Sequence, residues 1–260
     1  STVLTDIKRD NPIYNDLLDL QSLILLFKEN NELLKEFSEI QLLIFQNKRS
    51  QAITRLIDML PHANNDIMMN DDMSDQQSNY PDRIRWFATL PWQYPEMALI
   101  ELERAITKGC AGVFVSASIT GMSLTDQTFA PIWDAIDSRD LPVLIHPGAP
   151  PGVAEMDMEK YNLAFSVGFM FDTTLAISRM IYGGFFDRYK KVKIIACHAG
   201  GALPYLVGRL DTAFDNMPPC REIISESPST YFERLYFDSI AYTQEALELC
   251  LHVSGSERLL

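Results

Sequence analysis

Two histidines stand where apolar runs end. One run reads Pro142-Val-Leu-Ile-His146-Pro147-Gly148, the other Lys193-Ile-Ile-Ala-Cys-His198-Ala-Gly-Gly201. A neutral imidazole at the end of a buried strand can ligate a metal or shuttle a proton. A histidine that only caps its own loop would fit either run alone. The Pro-Gly and Gly-Gly that follow open space beside both rings and favour a site. The other two histidines are read as structural: His62 follows Pro61 in a turn, and His252 lies late in a helix, where its charge suits the helix C-terminus. Asp238 ends the run Tyr236-Phe237-Asp238-Ser239. A carboxylate in a strand is costly unless paired or ligated, so Asp238 is a catalytic candidate that orients a histidine or fixes a loop, ahead of binding metal directly. Arg209, on the helix expected after His198, carries a planar fork suited to a carboxylate, although a solvated helix arginine is the plain alternative. Trp86/Phe87 and Phe169/Phe171 are aromatic pairs that could wall a pocket for a planar ligand, with Trp86 and Phe169 as the binding candidates; core packing is the commoner fate of such rings.

These residues need a scaffold. Strand-like runs occur at Ile40–Gln46, Ile84–Leu90, Gly112–Ser116, Val143–His146, Val192–His198 and Leu235–Ile240, and a seventh begins at Arg258. The Val143 and Val192 runs are almost continuously apolar, as in parallel strands buried on both faces. Helical stripes lie between the runs at Pro95–Lys108, Phe129–Ser138, Thr173–Phe186, Ala202–Phe214 and Thr243–Val253. Strand and helix alternating with short loops predict a parallel sheet. Six or seven such units favour a closed (β/α)8 barrel over an open doubly wound sheet. Catalytic groups of such barrels sit at the C-terminal ends of the strands, where His146 and His198 fall. Residues 1–39 read as a helical N-terminal part, residues 63–80 as a surface helix, and residues 1–260 as one domain.

Composition narrows the function classes. The chain has 260 residues, 47% hydrophobic and 22% charged, with a net charge of −13. That charge argues against a nucleic-acid partner, because phosphate binding needs clustered Lys and Arg. No apolar run approaches the roughly 18 residues of a membrane span, and no signal-peptide pattern is read. The four cysteines are scattered without a CxxC pair, which fits reduced thiols in a cytoplasmic protein. No glycine-rich dinucleotide loop, phosphate loop or GxSxG nucleophile elbow is present.

Taken together, Pro81-Asp-Arg-Ile-Arg-Trp-Phe-Ala-Thr-Leu-Pro91, Leu141-Pro-Val-Leu-Ile-His146-Pro, Phe186-Asp-Arg-Tyr, Lys193-Ile-Ile-Ala-Cys-His198-Ala-Gly-Gly-Ala-Leu-Pro-Tyr205 and the run Gly168–Thr174 resemble the amidohydrolase-related decarboxylases. The resemblance covers about Asn65 to Leu260. It implies a metal-dependent-hydrolase-type barrel. It also implies that His146 is a metal ligand, that His198 activates the metal-bound water or transfers a proton, and that Arg209 reaches the neighbouring subunit's site to hold a substrate carboxylate. A homodimer and a divalent metal, zinc or in some members manganese, follow from it. The family's His-x-His pair on the first strand and its Asp after the last strand have no counterpart in this sequence. The chain starts at Ser1 and stops at Leu260, and the reading is a barrel that lacks its first strand and the end of its last. The expected function is metal-dependent, non-oxidative decarboxylation of an unsaturated or aromatic carboxylic acid. A lactone or amide hydrolase of the same superfamily and an inactive barrel used for binding are the alternatives.

Overall fold

The computed structural model describes residues 65–260 apart from 149 and 151, together with Lys35 and Glu39. The backbone groups into two compact units, Ser1–Met68 and Met69–Leu260, and the fold described is that of the second. The expected helices of residues 1–39, the run Ile40–Gln46 and His62 lie outside the described residues, so the one-domain reading extends beyond them.

Five parallel strands form one sheet: β1 (Phe87–Thr89), β2 (Gly112–Ser116), β5 (Pro142–His146), β6 (Lys193–Ala196) and β7 (Leu235–Phe237), adjacent in that order. A hairpin of β3 (Ser118–Ile119) and β4 (Met122–Ser123) stands apart. The helices are α1 (Asn65–Asn79), α2 (Pro95–Thr107), α3 (Ala130–Ser138), α4 (Phe169–Tyr182), α5 (Phe185–Arg188), α6 (Leu203–Asn216), α7 (Pro228–Tyr231) and α8 (Gln244–Ser254). Each strand of the sheet neighbours the next one in the chain, and the order never reverses. A doubly wound sheet reverses its order at a switch point; sequential parallel strands alternating with helices are the pattern of a (β/α) barrel. Leu259 makes one parallel bridge to Phe237, where the sequence predicts a further strand to begin.

Strand parity separates the two faces. Ala88, Val113, Val115, Val143, Ile145, Ile194, Ala196, Leu235 and Phe237 are buried in one core with Leu102, Ile132, Trp133, Ile177 and Met180 of the helices. Phe114, Ser116, Leu144 and His146, which alternate with them, are half-exposed on the other face. Period-two alternation therefore commits His146 to the face opposite the helices.

Local chemistry explains the element ends. Pro95 opens α2, where its missing N–H costs nothing. The Thr243 hydroxyl accepts from Ala246 N and caps α8. The structure corrects three sequence readings. Within the expected surface helix of residues 63–80, Asn65–Asn79 is helical, but Asn70 and Ser74 are buried, and the Asn70 side chain bonds the main chain of Thr89 and the Glu101 carboxylate. The helix expected from Thr173 begins at Phe169 and breaks at Gly183-Gly184 before α5. The β3–β4 hairpin has no counterpart in the sequence reading.

Candidate active site

β5 and β6 are hydrogen-bonded neighbours, with Ile145 opposite Ala196. Their C-terminal ends bring His146 and His198 together, the ring centroids 5.2 Å apart and the planes inclined by 58°. His146 Nδ1 lies 2.8 Å from its neighbour's carbonyl, Pro147 O. A carbonyl only accepts, so Nδ1 carries the proton and the lone pair sits on Nε2. Phe114 of β2 lies 5.7 Å from the His146 ring and Phe169 of α4 6.4 Å, centroid to centroid. Phe165 packs edge-on against Phe169.

His198 sits on a tight turn. Its φ is +57° and that of Ala199 is +52°, a left-handed pair rare outside glycine. The Asp238 carboxylate holds that turn, accepting from His198 N and Ala199 N at 2.8 Å each and from Ile240 N at 3.1 Å. Among the described residues, the buried Nδ1 of His198 has no hydrogen-bond partner. Burial pushes the His198 pKa below its usual value; the Asp238 charge opposes this, and His146 reinforces it. His198 is thus held toward the neutral form.

The sequence candidates fare differently. His146, His198 and Phe169 meet at one place. Asp238 adjoins them, and the loop-fixing role matches its hydrogen bonds. Trp86 is corrected: it is 2% exposed and belongs to the core. It has the parity of Ala88, which points at the helix layer, so it cannot wall the histidine face. Arg209 is exposed on α6 and has no ion pair among the described residues. His252 is exposed near the end of α8, as its structural reading expects.

Besides Phe114, which meets the His146 ring, two polar residues escaped sequence reasoning. Asp172, 3% exposed, accepts from Gly148 N at 2.9 Å. Thr174 Oγ1 accepts from Ala202 N at 2.9 Å and donates to Met170 O at 2.6 Å. The available signal was an acid and two threonines at the head of an apolar helical stripe. A separate cavity of about 310 Å³, lined among others by Trp133, Arg188 and Tyr189, contains neither histidine.

No three His, Cys, Asp or Glu side chains gather to hold a metal among the described residues. His146 offers one free imidazole nitrogen. A catalytic zinc takes three protein ligands, so the described residues do not by themselves make a complete centre.

Sequential parallel strands whose C-terminal ends present paired imidazoles beside aromatic rings define a (β/α)-barrel protein with a histidine-bearing face. The sequence model of the amidohydrolase family matches residues 57–260, and the chain belongs to that family. It is 30% identical over 193 residues to a 2-amino-3-carboxymuconate-6-semialdehyde decarboxylase of Dictyostelium discoideum, an alignment spanning 74% of this chain and 53% of the relative. A 5-carboxyvanillate decarboxylase from Sphingomonas paucimobilis superposes with a TM-score of 0.68 at 28% identity, over 74% of this chain and 59% of that one. A dihydroxybenzoic acid decarboxylase from Polaromonas sp. JS666, solved with bound manganese and the inhibitor 2-nitroresorcinol, gives a TM-score of 0.68 at 28% identity, over 75% and 62%. The chain thus spans between about half and two thirds of the length of these relatives.

Proposed function

We propose that the protein is a non-oxidative decarboxylase of an unsaturated or aromatic carboxylic acid. The observation that carries this reading is the His146–His198 pair, 5.2 Å apart between Phe114 and Phe169, in a family whose similar members are decarboxylases. Flat aromatic walls suit a planar substrate, with ring centroids 4.5–7 Å apart being the usual stacking range. Loss of carbon dioxide leaves an electron pair on the adjacent carbon, and a proton must replace the carboxyl group there. His198, partly buried and drawn toward its neutral form, can supply that proton. The His146 ring, held through Nδ1 by Pro147 O, keeps the lone pair of Nε2 free. A divalent ion, zinc or manganese, would take that nitrogen as one ligand and stabilise negative charge on substrate oxygens. Arg209 supplies a carboxylate fork from a second subunit of a cytoplasmic homodimer.

The test is gas release from a panel of hydroxybenzoates and carboxymuconates by the full chain, with lactones and amides as the hydrolase control. Carbon dioxide released by wild type, and reduced on the order of 10²–10⁴-fold in His198→Ala, supports the reading. Turnover of the control set alone assigns the site to hydrolysis instead.

A further inference from the structure

Beyond the ends of β5 and β6 the ladder no longer fixes the two histidine-bearing loops. One element bonds both of them. From the head of α4, Asp172 accepts the Gly148 amide two residues past His146, and Thr174 accepts the Ala202 amide four residues past His198. The contact is close as well as polar. A Cβ on Gly201 would lie 2.4 Å from Met170 O, so only glycine lets the His198 loop pass over this turn. Thr174 closes the arrangement by donating to the same Met170 carbonyl. Phe169, which meets the His146 ring, begins the same helix.

The burial of Asp172 is informative. A carboxyl group 3% exposed is costly to desolvate, and burial pushes its pKa upward. Gly148 N is its one hydrogen-bond partner among the described residues, and the Arg179 charge offsets only part of the burial. A residue kept only for packing would be apolar at this position. We infer that Asp172 and Thr174 are positioning residues that set the spacing of the two imidazoles through one rigid helix, Asp172 acting on the His146 loop and Thr174 on the His198 loop. The two residues touch no reacting atom. Their effect is on alignment, where a displacement on the order of 1 Å costs about 100-fold in rate.

This inference rests on the proposed site but is tested apart from it. The full chain carries four histidines, so their four ring signals can be followed by ¹⁵N labelling at one fixed pH, with His62→Gln and His252→Gln supplying assignments. Asp172→Ala is expected to move the His146 ring signals and Thr174→Val those of His198, while His62 and His252 stay in place. Asp172→Asn and Thr174→Ser, which keep an acceptor oxygen, should return the signals to the wild-type positions. With a decarboxylated substrate in hand, kcat should fall on the order of 100-fold in the first two variants, with KM little changed, and recover in the second two. Thr174→Val keeps the side-chain shape and decides the matter alone if Asp172→Ala does not fold. Ring signals unmoved in both variants, or all four displaced together, would overturn the inference. Absence of decarboxylation with correctly displaced ring signals would instead count against the proposed reaction.

Discussion

Asp238 shows how one carboxylate can shape the backbone of a candidate site. Both oxygens accept main-chain N–H groups, from His198, Ala199 and Ile240. Those bonds stabilise a left-handed pair that non-glycine residues avoid, and they fix where the His198 ring emerges. Removing the acceptor leaves partly buried amides unpaired, which costs about 1–3 kcal/mol per group. Asp238→Ala is therefore expected to lose about 2–4 kcal/mol of stability in urea denaturation, and to lose activity even at temperatures where it remains folded. A loss below about 0.5 kcal/mol, the usual scale of a neutral surface change, would show that the turn holds itself. Cys197 beside it carries no comparable chemistry: burial and the Asp238 charge push its thiol up to about 12, so it stays protonated.

At the scale of elements, α4 and α6 meet across the His198 loop, and two glycines in this region make opposite predictions. Gly201 has φ +63° and faces Met170 O at 2.4 Å from a built Cβ. Gly201→Ala combines backbone strain of about 1–3 kcal/mol with a main-chain clash that cannot be relieved by a rotamer change. It should be markedly destabilised, and its His198 turn displaced. Gly208 lies inside α6 with nothing within 4 Å of a built Cβ. Gly208→Ala should stabilise the protein by about 0.5–1 kcal/mol through helix propensity alone. Thermal melts of the two variants read both signs, and equal shifts in the same direction would refute the account of α4 as a surface fitted closely to the loop.

For the molecule as a whole, the net charge of −13 disfavours the approach of anions, and the proposed carboxylate substrate would gain from a local cation. Arg209 is exposed and free of ion pairs among the described residues, and it shares with Tyr205, four residues earlier, one face of α6. If that face packs against a second subunit, Arg209→Ala should reduce kcat/KM by an amount equivalent to about 2–5 kcal/mol and leave metal content unchanged. Arg209→Lys should recover only part, because an ammonium cannot form the fork. Mixing Arg209→Ala with His198→Ala subunits gives the sharper reading. Action across the interface regenerates one intact site per mixed dimer, whereas a mixture as inactive as its parents places Arg209 outside any shared site.

The sequence alone determined the alternation of strands and helices, the C-terminal placement of His146 and His198, and the family resemblance. Each of these is written locally, in apolar periodicity and in residues adjacent along the chain. The strand Gly112–Ser116 appears with the same bounds, because a continuous apolar run bounded by turns leaves little choice. Tertiary structure decided what depends on which face a side chain takes and what it meets there. Trp86 and Phe114 are both aromatic, yet only Phe114 reaches the histidines, because a shift of one residue in a strand reverses the face. The acceptor sites on Asp172, Thr174 and Asp238 are bonded to amides 24, 28, 39 and 40 residues away. Such pairings carry no local periodicity; they exist only once parallel strands and the helix between them have brought distant loops to one edge of the sheet.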